Sequence, residues 1–439
     1  MRVGRVGHAR YATGDHRERS RVRTVEQHRH DVEALVRDAL ADRSPEVLRV
    51  DPALLAAQPE RYRRRVLAAP LVAPIDLPPF ANSQMDGFAV GAADLGGAGP
   101  VDLVVVEPIP AGRTGPRLLP GTAAPIMTGA PVPEGAVAVV PVERALPAAF
   151  PEPGTAARVV LPGDVAPGTF VRAAGSDVAA GAVLHEAGTV LTPARWGVVA
   201  AAGLATVEVL RRPRVLLVST GEELAEPGKA LAPGTIHDAN GASLAAALGD
   251  VGVDVRVRRV SDDARALLAV VAAAADDVDL VVTTGGVSAG AYEVVRDAFE
   301  AAGVVFSSVA MQPGGPQGLG RLRLEGRAAA LPVVCFPGNP VSALVSFEAF
   351  LRPVLQAETS AGTPRRAWSA PMAEAAESPV GKHQLRRGRL DDDGRVRFVG
   401  GPGSHLLSAH AAASLLVHLP VGVDRVQPGD EVVVWALDD

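Results

Sequence analysis

Three glycine-rich turns carry the residue types best suited to bind an anion. They read STGEEL (Ser219 to Leu224), TTGGVSAG (Thr283 to Gly290) and FPGNPVSA (Phe336 to Ala343). Each supplies backbone N–H groups, glycines that let a ligand approach closely, and the start of a following helix. One such turn alone is equally consistent with a simple tight turn, but three together favour a ligand that contains phosphate. None has the lysine of a P-loop, and none follows GxGxxG. The expected ligand-binding residues in these turns are Ser219, Thr220, Gly221, Thr284, Gly285, Gly286, Ser288, Pro337, Gly338, Asn339 and Ser342.

Four acidic residues stand in or near these turns, namely Glu222, Glu223, Asp238 and Glu293. Carboxylates repel a phosphate unless they hold a divalent cation that bridges to it, and hard oxygen ligands suit Mg²⁺. We therefore expect these four residues to bind a metal ion. The alternative is that Glu222 and Glu223 only occupy the start of a helix, where the helix dipole favours negative charge.

The turns follow strands of a segment with a distinct pattern. Residues 213–356 alternate strands that are apolar throughout with helices. This pattern indicates a parallel sheet covered on both faces, and such sheets bind ligands at the carboxyl ends of their strands. The last helix of the segment has Pro340 in its first turn and Asn339 as its predicted N-cap.

The rest of the chain is predicted to form shorter elements. Apolar residues at helical spacing after Thr24, the predicted N-cap, indicate a helix, and a second short helix is expected over residues 52–68. Residues 86–162 alternate short β-rich runs with Gly/Pro turns, which is typical of a small all-β domain. A helix near residues 193–203 and a C-terminal β-barrel from about residue 360 complete the expected fold.

Composition narrows the class of protein. The chain has 439 residues, including 46 glycines and 37 prolines, which is roughly a fifth of the chain against an average near 12%. Hydrophobic residues make up 48% and charged residues 21%, which excludes disorder throughout. The net charge of -6 gives no global electrostatic reason to expect nucleic-acid or membrane binding. No apolar run reaches the roughly 18 residues that span a bilayer, and no secretory signal is recognisable. We expect a soluble cytoplasmic protein.

One residue and one segment have alternative interpretations. Because Cys335 is the single cysteine, the chain has no internal disulfide. Cys335 is predicted to be a small buried hydrophobic residue rather than a nucleophile. Residues 1–23 are rich in arginine and contain few apolar residues. They are predicted to be a disordered tail or an over-extended start, with a nucleic-acid-binding arm as the alternative.

Six ordered motifs resemble those of the molybdopterin molybdenumtransferases, the MoeA-type enzymes that are similar to the gephyrin E domain. The resemblance runs from about Thr24 to the C-terminus. The motifs are LPPFANSQMDGFAV (Leu77 to Val90), MTGAPVPEGAVAVVPVE (Met127 to Glu143), STGEELAEPG, IHDAN (Ile236 to Asn240), TTGGVSAGAYE and FPGNPVSA.

The resemblance implies a multidomain fold of α/β and β parts. A discontinuous elongated domain would comprise residues 24–76 and 163–208, with a β-domain inserted at residues 77–162. A central parallel-sheet α/β domain of the molybdopterin-binding type would comprise residues 209–356. A C-terminal β-barrel would follow at residues 357–439.

The implied reaction is hydrolysis of adenylylated molybdopterin, with insertion of molybdate into its dithiolene, aid from Mg²⁺ and release of AMP. The implied enzyme is a homodimer, in which Asp86 and Thr128 match acidic and hydroxyl positions that the partner subunit would lend. With these two, Glu223 and Glu293 are the expected catalytic residues. Arg387 matches a retained basic position and is expected to bind the substrate. The enzyme that adenylylates molybdopterin is a candidate partner.

The chain departs from the family pattern at several charged positions. Val137 and Glu293 stand where the family has aspartates, Gln312 and Gly315 replace the two lysines of its KPGKP motif, and His405 takes a basic position beside a serine. Glutamine donates hydrogen bonds but does not neutralise an oxyanion, and a charge-assisted bond is about twice as strong. Two alternatives to the enzyme therefore stand: a diverged paralogue that binds nucleotide or pterin without inserting metal, and a non-catalytic dimeric scaffold.

Overall fold

A computed structural model describes residues 22–437, apart from residues 153, 289, 291, 292 and 328. The chain divides into two compact units. The first, here called the α/β unit, comprises residues 1–44 and 210–439, and the second, here called the β-rich unit, comprises residues 45–209. Most of the predicted disordered tail, residues 1–21, lies outside the described residues. No helix in the described part of the chain is long and apolar enough to cross a membrane.

The first helix, α1 (Val25–Leu40), begins where the sequence predicts. The Thr24 hydroxyl accepts a hydrogen bond from the Gln27 amide at 3.1 Å, and the Gln27 side chain accepts one from the Thr24 amide at 3.0 Å. This reciprocal pair is a capping box, which satisfies two amides that the helix leaves unpaired. The buried face of the helix, which includes Val32 and Val36, packs into the core of the α/β unit.

The β-rich unit is made mostly of short strands. Its main sheet has five strands in the order β7-β4-β6-β5-β8, in which β5 and β6 run parallel and the other pairs run antiparallel. Three two-stranded pairs, β1–β11, β2–β10 and β3–β9, lie outside it. The elements are β1 (Pro45–Arg49), α2 (Pro52–Ala57), α3 (Pro59–Tyr62), β2 (Leu71–Val72), β3 (Asn82–Ser83), β4 (Gly87–Gly91), β5 (Pro100–Val105), β6 (Thr122–Ile126), β7 (Ala136–Pro141), β8 (Arg158–Pro162), β9 (Val171–Arg172), β10 (Val183–His185), α4 (Pro193–Ala201) and β11 (Thr206–Leu210).

The prediction of one helix over residues 52–68 is wrong. Pro59 has no N–H to continue the first helix, so a second short helix begins there and ends at Tyr62. The chain is then extended, and Val66 and Leu67 form isolated bridges to Val190 and Val209. The other elements predicted here, five β-rich runs between residues 86 and 162 and a helix near residues 193–203, are all present.

The α/β unit continues from residue 210 with alternating strands and helices and ends in a β-rich part. Its elements are β12 (Arg214–Thr220), β13 (Leu224–Ala225), β14 (Ile236–His237), α5 (Ala239–Asp250), β15 (Asp254–Val260), α6 (Ala264–Ala274), β16 (Leu280–Thr284), α7 (Val294–Glu300), β17 (Val304–Ser308), β18 (Met311–Gln312), β19 (Pro316–Leu322), β20 (Leu331–Phe336), α8 (Pro340–Ser346), a π-helical turn (Phe347–Leu351), α9 (Arg352–Thr359), β21 (Ala367–Pro371), β22 (Ala376–Glu377), β23 (His383–Leu390), β24 (Val396–Phe398), α10 (Leu407–Ala411), β25 (Leu415–Leu419), β26 (Arg425–Val426) and β27 (Glu431–Ala436).

Its central sheet has six strands in the order β15-β12-β16-β20-β19-β17. The first four run parallel, as the sequence predicts. Of the last two, β19 runs antiparallel to both of its neighbours, so β17 runs in the same direction as the first four strands. The sequence pattern did not predict β19. Alternate residues of the inner strands enter two separate hydrophobic clusters, so that Leu217 and Val282 face one side while Leu216 and Val281 face the other. Helices cover both faces, which explains why most residues of these strands are apolar.

A second sheet in this unit is formed mainly by the C-terminal segment. Its order is β18-β23-β25-β27-β21, with β24 paired to β23. The short strand β18 comes from the segment before β19, and it runs parallel to β23 with Gln312 opposite Gln384. The predicted fold class, α/β with additional β-rich parts, is confirmed, and the four domain boundaries stay a prediction.

Candidate functional site

The carboxyl ends of the parallel strands border a pocket of about 470 Å³. The loops after β12, β16 and β20 meet there, together with the start of α5, as expected for an open parallel sheet. The lining residues are Thr220, Gly221, Glu223, Leu224, Ile236, His237, Asp238, Ala239, Asn240, Asp262, Thr284, Gly285, Gly286, Val287, Ser288, Glu293, Gly338, Asn339 and Pro340.

Most residues predicted to bind a ligand therefore lie around one cavity. Among the described residues, the lining omits Ser219, Pro337, Ser342 and Arg387 from the predicted binding set, and Glu222 from the predicted metal set. Ser219 and Ser342 are buried, and the Pro337 carbonyl accepts a hydrogen bond from the Thr284 hydroxyl at 3.1 Å. The roles assigned to all of these residues stay predictions.

The first loop requires glycine at Gly221. Its φ of +152° lies in a region that side chains avoid, and a Cβ there would come within 2.6 Å of the Glu223 carboxylate. The chain therefore turns sharply after β12 and brings Glu223 to the pocket wall. The neighbouring Glu222 is exposed, and its amide donates to Asp262 at 3.3 Å.

The second loop is closed by its own carboxylate. Glu293 accepts hydrogen bonds from the Ser288 amide at 2.9 Å and from the Gly290 amide at 3.3 Å, with one oxygen for each. In this structure the loop amides therefore contact an internal carboxylate, in the way that such amides bind an anion. Asp238 is also engaged, since it caps α5 by accepting from the Gly241 amide at 2.8 Å.

The third loop corrects the prediction for Asn339. The residue does occupy the N-cap position of α8, but its side chain makes no capping hydrogen bond. Asn339 lies in the pocket lining instead.

Sequence reasoning missed two residues of this pocket. Asp262 follows β15 and adds a fourth carboxylate to the lining. Asn240, which was noted only as the end of a motif, hydrogen-bonds the second and third loops. A polar amide at the second residue of a helix, two positions after the cap at Asp238, is the one sequence signal that could have found it, because asparagine is unfavourable inside helices.

The charge of the pocket is entirely acidic. Its lining includes Glu223, Asp238, Asp262 and Glu293, and no lysine or arginine among the residues that the structure describes. The described residues also contain no cluster of three or more potential metal ligands. Mg²⁺ commonly binds through one or two carboxylates together with the phosphates of a substrate. The donor set fits a cation shared with a phosphate ligand rather than one enclosed by protein.

Asp86 and Thr128 belong to the β-rich unit and contact each other. The Thr128 amide and hydroxyl both donate to one Asp86 oxygen, at 2.6 and 2.7 Å. These two hydrogen bonds, the backbone one first, lower the pKa of Asp86 below its ordinary value. The side chain is therefore held as an exposed carboxylate.

Two residues of the C-terminal sheet have internal partners. Arg387 is buried and donates to backbone carbonyls of residues 399, 401 and 403, and burial lowers its pKa. Its guanidinium thus fixes the loop that precedes His405. Gln312 accepts a hydrogen bond from Gln384 at 2.7 Å. Cys335 is fully buried, as predicted, and burial raises the pKa of its thiol to about 12.

Three family models match the chain. Residues 23–203 match the MoeA N-terminal region (domain I and II), residues 216–357 match a probable molybdopterin binding domain, and residues 369–437 match the MoeA C-terminal region (domain IV). Together they account for most of the described residues.

Known proteins and solved structures agree with these matches. The chain is 47% identical over 386 residues to molybdopterin molybdenumtransferase 2 of Mycobacterium tuberculosis, covering 85% of this chain and 92% of that protein. It is 34% identical over 421 residues to molybdopterin molybdenumtransferase 1 of the same organism, covering 88% and 96%. The crystal structure of a molybdopterin biosynthesis MoeA protein from Pyrococcus horikosii superposes with a TM-score of 0.75 at 27% identity, covering 95% of this chain and 100% of that one.

Proposed function

The chain belongs to the MoeA-type molybdopterin molybdenumtransferase family of molybdenum cofactor biosynthesis, and from this we propose that it inserts molybdate into adenylylated molybdopterin with release of AMP. In this reaction water cleaves the bond between the two phosphates, so AMP leaves with one of them. Molybdate then exchanges oxygens for the two dithiolene sulfurs. We place the reaction in the cytoplasm, with the enzyme that adenylylates molybdopterin as the supplier of substrate.

The observation that carries this proposal is the lining of the pocket. Backbone amides and small side chains of three loops converge at the carboxyl ends of β12, β16 and β20, which suits a nucleotide with its phosphates. Four carboxylates surround the same space, and the lining residues that the structure describes include no lysine or arginine. A polyanionic ligand placed there needs a cation to offset the charge.

Mg²⁺ is the proposed cation. No described residue donates a hydrogen bond to the Glu223 carboxylate, so this group is the first candidate ligand. Asp238 can also bind the ion, through the carboxylate oxygen that does not cap α5. When bound, the ion would neutralise phosphate charge and polarise the bond to be cleaved. Glu293 accepts from the Ser288 and Gly290 amides, and so fixes the position of the second loop beside the ligand.

Release of AMP tests the proposal. Purified protein is given adenylylated molybdopterin, molybdate and Mg²⁺, and AMP is measured with and without each component. We expect AMP release to depend on molybdate and Mg²⁺ and to be lost in Glu223→Ala. Hydrolysis no faster than in that variant would contradict the proposed activity.

The proposed active site is shared between two subunits, with Asp86 and Thr128 supplied by the partner. Mixing two inactive variants tests this arrangement. Asp86→Asn and Glu223→Ala, co-refolded or co-expressed at equal amounts, should form mixed dimers in which one of the two sites is intact, and AMP release should return to about a quarter of the unmodified rate. If each variant lacks activity and the mixture also lacks it, although mixed dimers form, the residues do not act across subunits.

A second candidate function, binding without metal insertion, is favoured by one observation. Gln312 stands where the family has a lysine, and its side-chain oxygen is held by Gln384 at 2.7 Å. Gly315 has room for a side chain, because a Cβ would lie 3.4 Å from its nearest neighbour, the Val309 carbonyl oxygen. The double substitution Gln312→Lys with Gly315→Lys should therefore fold. If the unmodified chain lacks molybdate-dependent AMP release and the double variant shows it, the unmodified chain binds its ligand without inserting metal. If the unmodified chain already releases AMP in this way, the function of binding alone is excluded.

A further inference from the structure

Asn240 joins two loops that lie far apart in the sequence. Its side-chain nitrogen donates to the Thr284 hydroxyl at 2.9 Å and to the Gly338 carbonyl at 2.7 Å. Thr284 ends β16, and Gly338 lies in the loop after β20, whereas Asn240 belongs to the first turn of α5. The residue thus connects three separate segments at the carboxyl edge of the sheet.

The orientation of this side chain is set by its partners. The Gly338 carbonyl can only accept a hydrogen bond, so the nitrogen of the Asn240 amide must face it. The Thr284 hydroxyl accepts a hydrogen bond from the second amide proton and donates its own hydrogen bond to the Pro337 carbonyl at 3.1 Å. One continuous set of hydrogen bonds therefore connects α5, Thr284 and the third loop.

The network is shielded from water. Asn240 is 9% exposed and Thr284 is 1% exposed. The loops are also in close contact through backbone atoms, since the Gly285 amide donates to the Phe336 carbonyl at 3.1 Å, and a Cβ on Gly338 would lie 3.3 Å from the Gly285 Cα. A small displacement of one loop therefore displaces the other.

The side-chain oxygen of Asn240 differs from the nitrogen in having no hydrogen-bond partner among the described residues. It is buried, and no described residue donates a hydrogen bond to it. The two amide protons therefore make the side-chain hydrogen bonds between Asn240 and the described residues.

We propose that Asn240 is a positioning residue that holds the second and third loops in fixed register, and so shapes the nucleotide pocket. The inference depends on the proposed function in one respect, which is that the pocket is taken to bind a nucleotide. Asn240 acts through Thr284 and Gly338 and needs no contact with the reacting atoms.

Hydrogen exchange tests the positioning role without a ligand. In full-length Asn240→Ala and Asn240→Asp, amides in a peptide covering residues 284–288 should exchange about tenfold faster than in the unmodified protein, because the loop loses its buried support. Asn240→Asp retains the shape of the side chain but has no proton to offer the Gly338 carbonyl. Ser243→Ala is the matched control, since this residue lies one turn further along α5 and, among the described residues, its hydroxyl donates a hydrogen bond to the Asn240 carbonyl alone, at 3.4 Å. Unchanged exchange in folded Asn240→Asp would overturn the inference.

Ligand affinity supplies a second readout, with AMP and Mg²⁺ as the probe in calorimetry. Asn240→Ala should weaken AMP binding about tenfold, which corresponds to one buried hydrogen bond, and Ser243→Ala should not. Faster exchange with unchanged AMP affinity would also overturn the inference. If the unmodified protein does not bind AMP, the proposed function loses its nucleotide site, while the exchange experiment still decides the role of Asn240.

Variants of Thr284 separate positioning from general loss of structure. Thr284→Ser keeps the hydroxyl and should retain the protection of the loop amides in the exchange experiment. Thr284→Val removes the hydroxyl and should resemble Asn240→Ala. Because the two residues act as one unit, the double variant should be little worse than either single variant. Additive losses would contradict the proposed route, and the Thr284 pair keeps the inference testable if Asn240→Ala does not fold.

Discussion

Thr128 binds a single oxygen of Asp86 twice, through its amide at 2.6 Å and its hydroxyl at 2.7 Å. The other Asp86 oxygen makes no hydrogen bond with a described residue. Asp86 therefore has one oxygen that fixes its position and one that can face a substrate or metal. The two hydrogen bonds lie within the β-rich unit and form without a bound ligand.

Removing the Thr128 hydroxyl should raise the pKa of Asp86. The hydroxyl is one of the two hydrogen bonds that lower it, and the backbone bond remains. In Thr128→Ala the Asp86 carboxylate should become protonated at a higher pH, so AMP release should begin to decline at a higher pH as the solution is acidified. Thr128→Ser should behave like the unmodified protein. The measurement is a carboxyl-carbon NMR titration together with the pH profile of AMP release. Thr122→Ala, which removes an exposed hydroxyl bonded only to the Leu119 carbonyl, is the control; an unshifted titration in Thr128→Ala would refute the assignment.

Glu222 and Glu223 should differ sharply in importance, although they are adjacent and of the same type. Glu223 lies in the pocket lining and Glu222 does not. Glu223→Ala should lower AMP release about 100-fold or more, as expected when a group that stabilises the reacting charge is removed. Glu222→Ala should change it less than about threefold, because Glu222 is exposed and its hydrogen bond to a described residue, Asp262, is made by its backbone amide. Steady-state rates at saturating Mg²⁺ decide this, and equal losses would show that both carboxylates bind the metal.

Stability should decline as pH falls from about 6.5 towards 3 because of His28. Burial lowers the pKa of His28 to about 3, so the folded state keeps it neutral while the unfolded state gains a proton near the ordinary value of 6.5. Between these two pKa values the unfolded state binds one more proton at this residue than the folded state does. The free energy of unfolding therefore falls by about 1.4 kcal/mol for each unit by which the pH falls. His28→Leu should reduce the slope of unfolding free energy against pH by that amount. His30→Leu, on the exposed side of α1, should leave the slope unchanged.

Chemical denaturation at several pH values between 4.5 and 7 measures this slope. His418 should retain its own contribution in the variant, since its pKa is also lowered to about 3 by burial. An unaltered slope in His28→Leu would show that His28 becomes protonated in the folded protein.

Glu348 should be far more important for stability than a surface carboxylate. Its side chain is 8% exposed and accepts hydrogen bonds from Arg352 at 3.1 Å and Arg365 at 3.0 Å. Glu348→Ala removes the nearer carboxylate from the buried Arg352 guanidinium, whose other ion-pair partner, Asp250, lies 3.9 Å away. Breaking a buried ion pair in this way costs about 3–5 kcal/mol in comparable cases. Glu300→Ala removes the exposed partner of Arg296 and should cost less than about 1 kcal/mol. Unfolding midpoints in denaturant compare the two, and a similar small loss in both would contradict the prediction.

The sequence predicted most of the central sheet because burial on two faces leaves a clear pattern. Strands such as β20 are apolar at every position, and the helices between the strands have an apolar stripe. The strand β19 has no such pattern, since Gly318 and Gly320 interrupt it. A Cβ on Gly318 would lie 2.6 Å from Phe306, and one on Gly320 would lie 2.9 Å from the Gly303 carbonyl. Close packing against neighbouring strands, which periodicity does not record, requires these glycines.

The loops of the site were predictable and the side-chain partners within them were not. Glycine spacing and strand ends located the three turns correctly around one pocket. The hydrogen bonds of Asn240, and the absence of a capping bond at Asn339, depend on how segments about a hundred residues apart in sequence pack together. Local sequence also does not reveal that Glu293 closes its own loop. Residue types therefore indicated the chemistry, and the tertiary contacts determined which atoms remain for a ligand.

The acidic lining of the pocket has a thermodynamic consequence. When a cation and a polyanion share one site, each must raise the affinity of the other by the same factor, because the two binding free energies are linked. AMP should accordingly bind weakly without Mg²⁺ and Mg²⁺ weakly without AMP, and the ratio of affinities measured in either direction should agree. If the pocket binds a nucleotide with Mg²⁺ as proposed, its four carboxylates should discriminate against a nucleotide that carries no cation.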